Sequence, residues 1–211
     1  PYLSRGLGDV YKRQIVERSK MGEGKELIFS VEVPEIKGSF RKLCKAVGKK
    51  NITEFSYRVD DTEIGKILLG VELPLNSKTK KSFVNELEKK KFKLIDLTED
   101  EISKVHLRYM TGGRAGNLPF GNIEEVFKVD FPERPGALME FLNLLQDKWN
   151  ISMFHYKNQG SIYGGALVGF SIDKSQKEKL ELDLLATEYP FTRVTELSLI
   201  HISEPTRQIR I

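Results

Sequence analysis

The feature that most constrains this chain is an internal repeat with a period of about 98 residues. A stretch that runs from Phe29 to Leu73 recurs, with one inserted residue, between Phe127 and Ile172. Matched positions in the first copy include Phe29, Val31, Pro34, Glu35, Gly38, Asn51, Ile52, Phe55, Tyr57, Gly65, Leu68 and Gly70. Because a repeat of this length is one structural unit written twice, we expect two related domains.

Each copy contains the same order of predicted elements. The alternating apolar residues of LIFSVEV and EVFKVDF predict a first strand with one buried face. After Gly38 or Gly136, apolar residues at three- and four-residue spacing predict a helix. Two strands follow (ITEFSYRV and KILLGVEL; ISMFHYKN and GALVGFSI), then an amphipathic helix (78–91; 174–188) and a short strand (92–97; 191–196). The order βαββαβ predicts an α+β protein of two tandem ferredoxin-like domains.

A segment at 98–122 lies between the two predicted domains, which occupy 15–97 and 123–196. Thr98 followed by Glu101 has the spacing of a capping box and predicts the start of a short helix. Gly112 and Gly113 predict its end.

The two ends of the chain are expected to be non-native. SRGLGDVYKRQ near the start and LSLIHISEPTR near the end can be encoded by reverse-complementary DNA, which resembles a sequencing adapter translated by mistake. We therefore exclude 1–14 and 197–211 from the fold prediction. These tails carry +3 of the formal net charge of +4, so the remaining segment is nearly neutral and its charge does not point to nucleic acid.

Composition favours a cytoplasmic protein. No apolar run approaches the roughly 18 residues of a membrane span, so no membrane partner is expected. Cys44 is the single cysteine, which excludes an intrachain disulfide and a cysteine cluster for metal. Its place on an apolar helix face predicts a buried small hydrophobe. His106 and His155 are not spaced as a metal pair, and we expect ordinary polar packing for both.

A small-ligand site is predicted where the first strand of each copy passes into the first helix. The motif Pro-Glu-x-x-Gly occupies this junction twice. Helix N-terminal amides lack intrahelical partners and attract a carboxylate, and Gly38 and Gly136 let the backbone approach a ligand. The same glycines could instead serve a tight turn, and the repetition alone does not decide between the two.

Five motifs carry a family resemblance. In order and spacing, PEIKGSFRKLC, NITEFSYR, HLRYMTGGR, FPERPGAL and NISMFHYKNQG resemble the C-terminal regulatory region of long-form biosynthetic threonine dehydratase (threonine ammonia-lyase), which is built from two ACT-like domains. The resemblance covers essentially all of 15–196. It implies that isoleucine binds and inhibits, that valine opposes it, and that the partners are the catalytic domain of the same polypeptide and further copies in a tetramer.

The resemblance also implies effector-site residues. These are Tyr57 and Tyr156 on the second strands, Leu138, Leu142 and Leu145 on the helix face, Glu133, Gly136 and Gly38 at the mouth, Arg108 and Arg114 as carboxylate or interdomain partners, and Lys157. At the last position the family usually has arginine, and lysine lacks its bidentate fork. The leucines could equally be core, the tyrosines interface packing, and the arginines solvated linker charges. The apolar helix face after Gly136 favours the second copy as the primary site, since the first carries lysines there.

Catalysis is not expected from this segment. In the family, the Schiff-base lysine and the phosphate cradle of pyridoxal phosphate precede this region, and nothing in 15–196 resembles them. The fragment is therefore expected to hold no cofactor, while the parent enzyme holds pyridoxal phosphate. Two other functions stay open: an ACT-like sensor from another amino-acid enzyme, and an RNA-binding module of the same βαββαβ order. The central strands lack the stacking aromatics of the latter.

Overall fold

The computed structural model describes residues 26–60, 63–73, 77–112, 118–132, 134, 136–145, 148–158 and 163–194. The predicted tails and the outer domain boundaries lie outside these ranges. The first half contains β1 (Glu26–Pro34), α1 (Ser39–Val47), β2 (Ile52–Arg58), β3 (Ile64–Glu72), α2 (Ser77–Lys89) and β4 (Lys93–Asp96). The connecting helix α3 (Glu101–Thr111) follows.

The second half repeats this order. It contains β5 (Asn122–Pro132), α4 (Ala137–Leu145), β6 (Asn150–Lys157), β7 (Tyr163–Asp173), a 3₁₀ turn (Lys174–Gln176), α5 (Lys177–Leu185) and β8 (Phe191–Arg193). Both halves are βαββαβ units, which confirms the predicted tandem ferredoxin-like fold.

The two halves share one sheet. Eight antiparallel strands follow the order β4-β1-β3-β2-β6-β7-β5-β8, so the halves meet where β2 pairs with β6. Across this join Phe55 lies opposite Tyr156, and Tyr57 lies opposite Phe154. Phe55 is the repeat equivalent of Phe154, and Tyr57 of Tyr156. The halves are therefore related by an approximate twofold axis that passes through the pair formed by Ser56 and His155.

Two of the repeated glycines have a packing reason. The register of β2 against β3 shifts between Ile52 and Glu54, and that of β6 against β7 shifts between Ile151 and Met153. A Cβ on Gly70 would lie 2.5 Å from Oγ1 of Thr53, and one on Gly169 would lie 3.0 Å from Oγ of Ser152. Each glycine thus makes room for a bulge in the neighbouring strand.

The main core lies between the sheet and helices α1, α2, α4 and α5. It is continuous across the join, where α1 packs against α4 and the rings of Phe55 and Phe154 meet edge to face with centroids 5.5 Å apart. Cys44 is buried here, as predicted, and burial raises the pKa of its thiol to about 12. A smaller cluster of Ile28, Leu68, Leu97 and Leu107 packs under α3 on the opposite face of the sheet.

The start of α3 corrects one prediction. Asp100, not Thr98, caps the helix, because its Oδ1 accepts a hydrogen bond of 2.9 Å from the amide of Ser103. The hydroxyl of Thr98 instead donates to Asp96 and accepts from the amide of Ile28. The helix begins at Glu101, so Thr98 lies too early in the chain to cap it, and the side chain of Glu101 forms an ion pair with Lys104.

Among the described residues, no helix is both long and apolar enough to cross a bilayer.

Candidate functional site: two clefts at the join

The first cleft lies between the β1–α1 junction of the first half and helix α4 of the second half. It has an empty volume of about 480 Å³, which includes space open to solvent. Residues of the first half on its surface include Glu35, Gly38, Phe40 and Tyr57, and those of the second half include Leu142, Leu145, Trp149 and Ile151. Both halves are needed to form it.

The second cleft is the twofold equivalent of the first. It lies between the β5–α4 junction of the second half and helix α1 of the first, with an empty volume of about 440 Å³. Residues of the second half on its surface include Arg134, Gly136, Leu138 and Tyr156, and those of the first half include Cys44, Lys50 and Ile52. Each half therefore supplies the loop of one cleft and the apolar wall of the other.

The backbone at each junction suits a close approach by a ligand. Gly38 and Gly136 have φ angles of 84° and 88°, a left-handed conformation that strains any L side chain. Gly38 caps α1 without a side-chain acceptor. The amides in the first turn of a helix have no intrahelical partner and carry the positive end of the helix dipole. The mouth of the first cleft can thus receive a carboxylate.

A half-buried carboxyl group, that of Glu35, lies beside this helix end in the first cleft. The hydroxyl of Tyr57 donates a hydrogen bond of 2.5 Å to Oε2 of Glu35. Burial raises the pKa of Glu35, Tyr57 lowers it through the hydrogen bond, and the charge of Asp60 raises it again. Burial and the neighbouring carboxylate also raise the pKa of Tyr57, so the phenol keeps its proton.

The second cleft has different polar groups. Arg134 donates to both carboxylate oxygens of Glu140, at 2.8 and 2.5 Å, beside the mouth. Lys50 points its Nζ to the carbonyl oxygen of Val47, at 3.1 Å. Glu133, the repeat equivalent of Glu35, lies outside the described residues. Among the described residues, the two clefts are thus alike in the backbone of the junction but differ in the charged groups near it.

The structure divides the predicted effector residues between the two clefts. Gly38, Tyr57, Leu142 and Leu145 line the first, whereas Gly136, Leu138 and Tyr156 line the second. The leucines predicted to serve the second copy therefore face two different clefts, because α4 lies between them at the join.

Lys157 and Arg108 lie away from both clefts. Lys157 is exposed and follows Tyr156 on β6, so it points to the opposite face of the sheet. Arg108 belongs to α3 on that same face and binds the carboxylate of Glu54 with hydrogen bonds of 2.7 and 2.6 Å. It joins the connecting helix to β2. Arg114 lies outside the described residues.

Several cleft residues were not predicted. Glu35 was recognised as a repeated position but not as a site residue, and Phe40, Trp149, Ile151, Lys50 and Ile52 were not singled out. The repeat alone could have predicted Glu35 as a site residue, because its equivalent Glu133 was among the predicted residues. Phe40 follows Gly38 on the same helix and lines the cleft of its own half. Trp149, Ile151, Lys50 and Ile52 enter the clefts through the pairing of β2 with β6, which no sequence motif predicts.

The alternative chemistries find little support. In the part of the chain that the structure describes, no three His, Cys, Asp or Glu side chains are grouped to hold a metal ion. The aromatic side chains of the two central strands lie on the helix face of the sheet: Phe55, Tyr57 and Phe154 are buried, and Tyr156 is partly buried in the second cleft. They are therefore not available to stack on bases as in an RNA-binding module.

Comparisons with known proteins agree on one family. The family model described as the C-terminal regulatory domain of threonine dehydratase matches residues 17–107 and 118–200. The biosynthetic L-threonine dehydratase of Burkholderia multivorans is 43% identical over 179 residues, which are 85% of this chain and 34% of that protein. The Escherichia coli enzyme is 41% identical over 160 residues, which are 76% of this chain and 30% of that enzyme. The mitochondrial threonine dehydratase of Saccharomyces cerevisiae is 36% identical over 76% of this chain and 28% of that protein.

Proposed function

Because the chain belongs to the family of threonine dehydratase C-terminal regulatory domains, we propose that it senses branched-chain amino acids in the two clefts. Isoleucine is the inhibitory effector, and valine is the activating one. The chain spans about a third of the length of the relatives it matches, and it matches their regulatory part.

One observation carries this proposal: each cleft joins a helix N-terminal loop from one half to an aliphatic wall from the other. In the first cleft the loop around Gly38 faces Leu142 and Leu145. An aliphatic amino acid has the matching parts, namely a carboxylate for the helix amides and a branched side chain for the wall.

Binding at such a cleft affects the relative position of the halves. A ligand that contacts both halves stabilises the arrangement in which its contacts are best. That preference is the coupling free energy through which an effector acts on an attached catalytic domain. The connecting helix α3, which Arg108 ties to β2, lies beside the join and is placed to respond to this change.

We infer the rest of the parent protein from the family resemblance described above. It is a cytoplasmic tetramer that converts L-threonine to 2-oxobutanoate with pyridoxal phosphate in a separate catalytic domain. The clefts described here do not fit that cofactor. Neither lining has a glycine-rich run that could hold its phosphate, and Lys50, which lines the second cleft, is hydrogen-bonded to a backbone carbonyl. No catalytic step is assigned to this chain.

Calorimetry on the 211-residue chain tests the effector assignment. Isoleucine and valine are titrated separately, with threonine and aspartate as comparison ligands. We expect dissociation constants below millimolar for the branched-chain ligands and weaker or no binding for aspartate, whose second carboxylate does not suit an aliphatic wall. Absence of binding below millimolar for both branched-chain ligands contradicts the proposal.

A matched pair of variants locates the binding. Leu138→Asp places a charge in the second cleft, and Leu182→Asp places one on the exposed face of α5, where Leu182 is 65% exposed. We expect the first variant to lose one class of binding sites and the second to bind as the parent chain does. Equal binding by both variants excludes the second cleft as an effector site.

A further inference from the structure

The first cleft contains a polar atom whose hydrogen-bonding capacity is unused. Oε2 of Glu35 accepts from Tyr57, but Oε1 is buried and has no hydrogen-bond donor among the described residues. Buried acceptors normally have a donor, and a buried carboxylate oxygen without one is costly. Glu35 lines the first cleft, so a ligand there can supply the missing proton donor once the carboxyl group turns toward it.

The surrounding structure holds this carboxyl group in place. The amide of Glu35 donates to the carbonyl oxygen of Glu63 at 2.9 Å. A Cβ on Gly65 would lie 2.3 Å from Oε1, so the glycine on β3 leaves the space that the carboxyl group fills. The group is thus built into the junction of β1 with α1 and is not a flexible surface acid.

The electrostatics of the site favour a cation. The charge of Asp60 acts on Glu35 with the same sign, and burial weakens the screening that water would provide. A positively charged ligand group offsets the repulsion between Asp60 and Glu35 and replaces the screening by water that burial weakens. The cleft lining carries two cationic side chains, Lys37 and Arg41, which suit the carboxylate of an amino acid. Phe40, Leu142 and Leu145 on the same lining are apolar, so an ammonium attached to an aliphatic group fits better than a hydrated metal ion.

We propose that the Glu35 carboxylate, oriented by Tyr57, receives the α-ammonium group of the effector amino acid in the first cleft. This assignment rests on the proposed function. It places the ligand with its ammonium at Glu35, its carboxylate toward the N-terminus of α1, and its side chain against α4. Tyr57 is a positioning residue in this arrangement, because it contacts the carboxyl group that holds the ligand.

Tryptophan fluorescence reports on this cleft selectively. Trp149 is the single tryptophan of the chain, lines the first cleft, and is fixed by a hydrogen bond of 3.0 Å from its Nε1 to Asp183. Titration of the 211-residue chain with isoleucine therefore measures occupancy of the first cleft. The comparison ligand is 3-methyl-2-oxopentanoate, which has the same side chain and carboxylate but no ammonium group.

The decisive variant is Glu35→Gln, which keeps the shape of the side chain and removes its charge. We expect isoleucine binding to weaken roughly tenfold to a hundredfold, the value of a hydrogen bond to a charged group. The parent chain should prefer isoleucine over the oxo acid, and the variant should lose this preference. Glu32→Gln is the control, because Glu32 lies on the same strand but two residues before the junction residue Pro34 and outside the cleft.

The outcomes separate the two proposals. If the parent chain binds isoleucine but Glu35→Gln binds it equally and keeps the preference over the oxo acid, the ammonium assignment is wrong and the proposed function stands. If Glu35→Gln weakens both ligands equally, Glu35 has a structural role, which also overturns the assignment. If the parent chain gives neither a fluorescence nor a calorimetric response to isoleucine or valine, the proposed function itself fails.

Discussion

Arg58 of the first half donates two parallel hydrogen bonds to Glu124 of the second half, at 2.8 and 2.9 Å. The pair connects β2 to β5 across the join, and the hydroxyl of Ser152 also donates to Glu124. The two side chains are only 10% and 18% exposed. Removing one partner therefore leaves a largely buried charge without its counterpart.

The first prediction concerns this pair. Glu124→Gln should lower the free energy of unfolding by about 3 kcal/mol, measured by urea denaturation, because the Arg58 charge then lacks its partner. Removing both charges in Arg58→Met/Glu124→Gln should recover part of the loss. Lys93→Met, which deletes a cation that is 79% exposed and paired to Glu32, should change stability by less than ~1 kcal/mol. If Lys93→Met lowers the free energy of unfolding as much as Glu124→Gln does, burial of the Arg58–Glu124 pair is not the cause of the loss.

The second prediction concerns pH. Burial, then the charge of Arg58, lowers the pKa of His155 from its ordinary value of 6.5 to about 4 in the folded chain. The unfolded chain binds this proton more tightly than the folded chain does. The contribution of neutral His155 to the free energy of unfolding is therefore fully present above pH 6.5 and is lost as the pH falls toward about 4. Urea midpoints between pH 7 and pH 4 should show this decline, on the order of 2–3 kcal/mol.

Histidine variants test the origin of that decline. His155→Gln should flatten the part of the curve between pH 6.5 and about 4. His106, which is exposed on α3, is the matched control, and His106→Gln should keep the decline. An unchanged curve in His155→Gln would assign the decline to carboxyl groups instead.

The third prediction concerns the bulge next to Gly169. An alanine Cβ at this position would lie 3.0 Å from Glu124, Met153 and Ser152, where the backbone of β6 cannot easily yield. Gly169→Ala should cost about 1–3 kcal/mol in thermal or urea unfolding. Gly165→Ala lies on the same strand at an exposed position, where the nearest atom is the flexible Cε of Lys128. It should be close to neutral.

The fourth prediction concerns Tyr57. Tyr57→Phe removes the hydrogen bond to the half-buried Glu35 carboxyl group and should lower the free energy of unfolding by about 1–3 kcal/mol. Tyr189→Phe is the control, because that hydroxyl makes two contacts of 3.5 Å that are too long to contribute much. Equal losses in the two variants would show that ring packing, not the hydrogen bond, determines the effect.

The element order could be predicted because it is local. Alternation in LIFSVEV and helical spacing after Gly38 each report burial within a single element, and the repeat supplied a second independent copy of the same pattern. The helix cap at α3 was misplaced because Thr98 and Asp100 are both capping residues within one turn. Only the contact of Thr98 with Asp96 and β1 decides between them.

The site could be predicted only within each half. The junction glycines and the strand tyrosines follow from the repeat, but the wall of each cleft comes from the other half. Leu142 faces the first cleft because β2 pairs with β6. This pairing is made by main-chain hydrogen bonds, which any sequence can form, so no side-chain pattern predicts it. Trp149 enters the first cleft for the same reason.

The twofold relation between the halves also has an evolutionary consequence. Such a pairing is the geometry of a symmetric homodimer, in which one mutation changes both sites at once. Once two copies are joined in a single polypeptide, that constraint disappears, and each copy can drift alone. The Arg134–Glu140 pair of the second half is a difference of this kind, because the first half has Ile36 and Lys42 at the equivalent positions. A duplicated gene can thus give the two clefts different polar groups while their backbones stay alike.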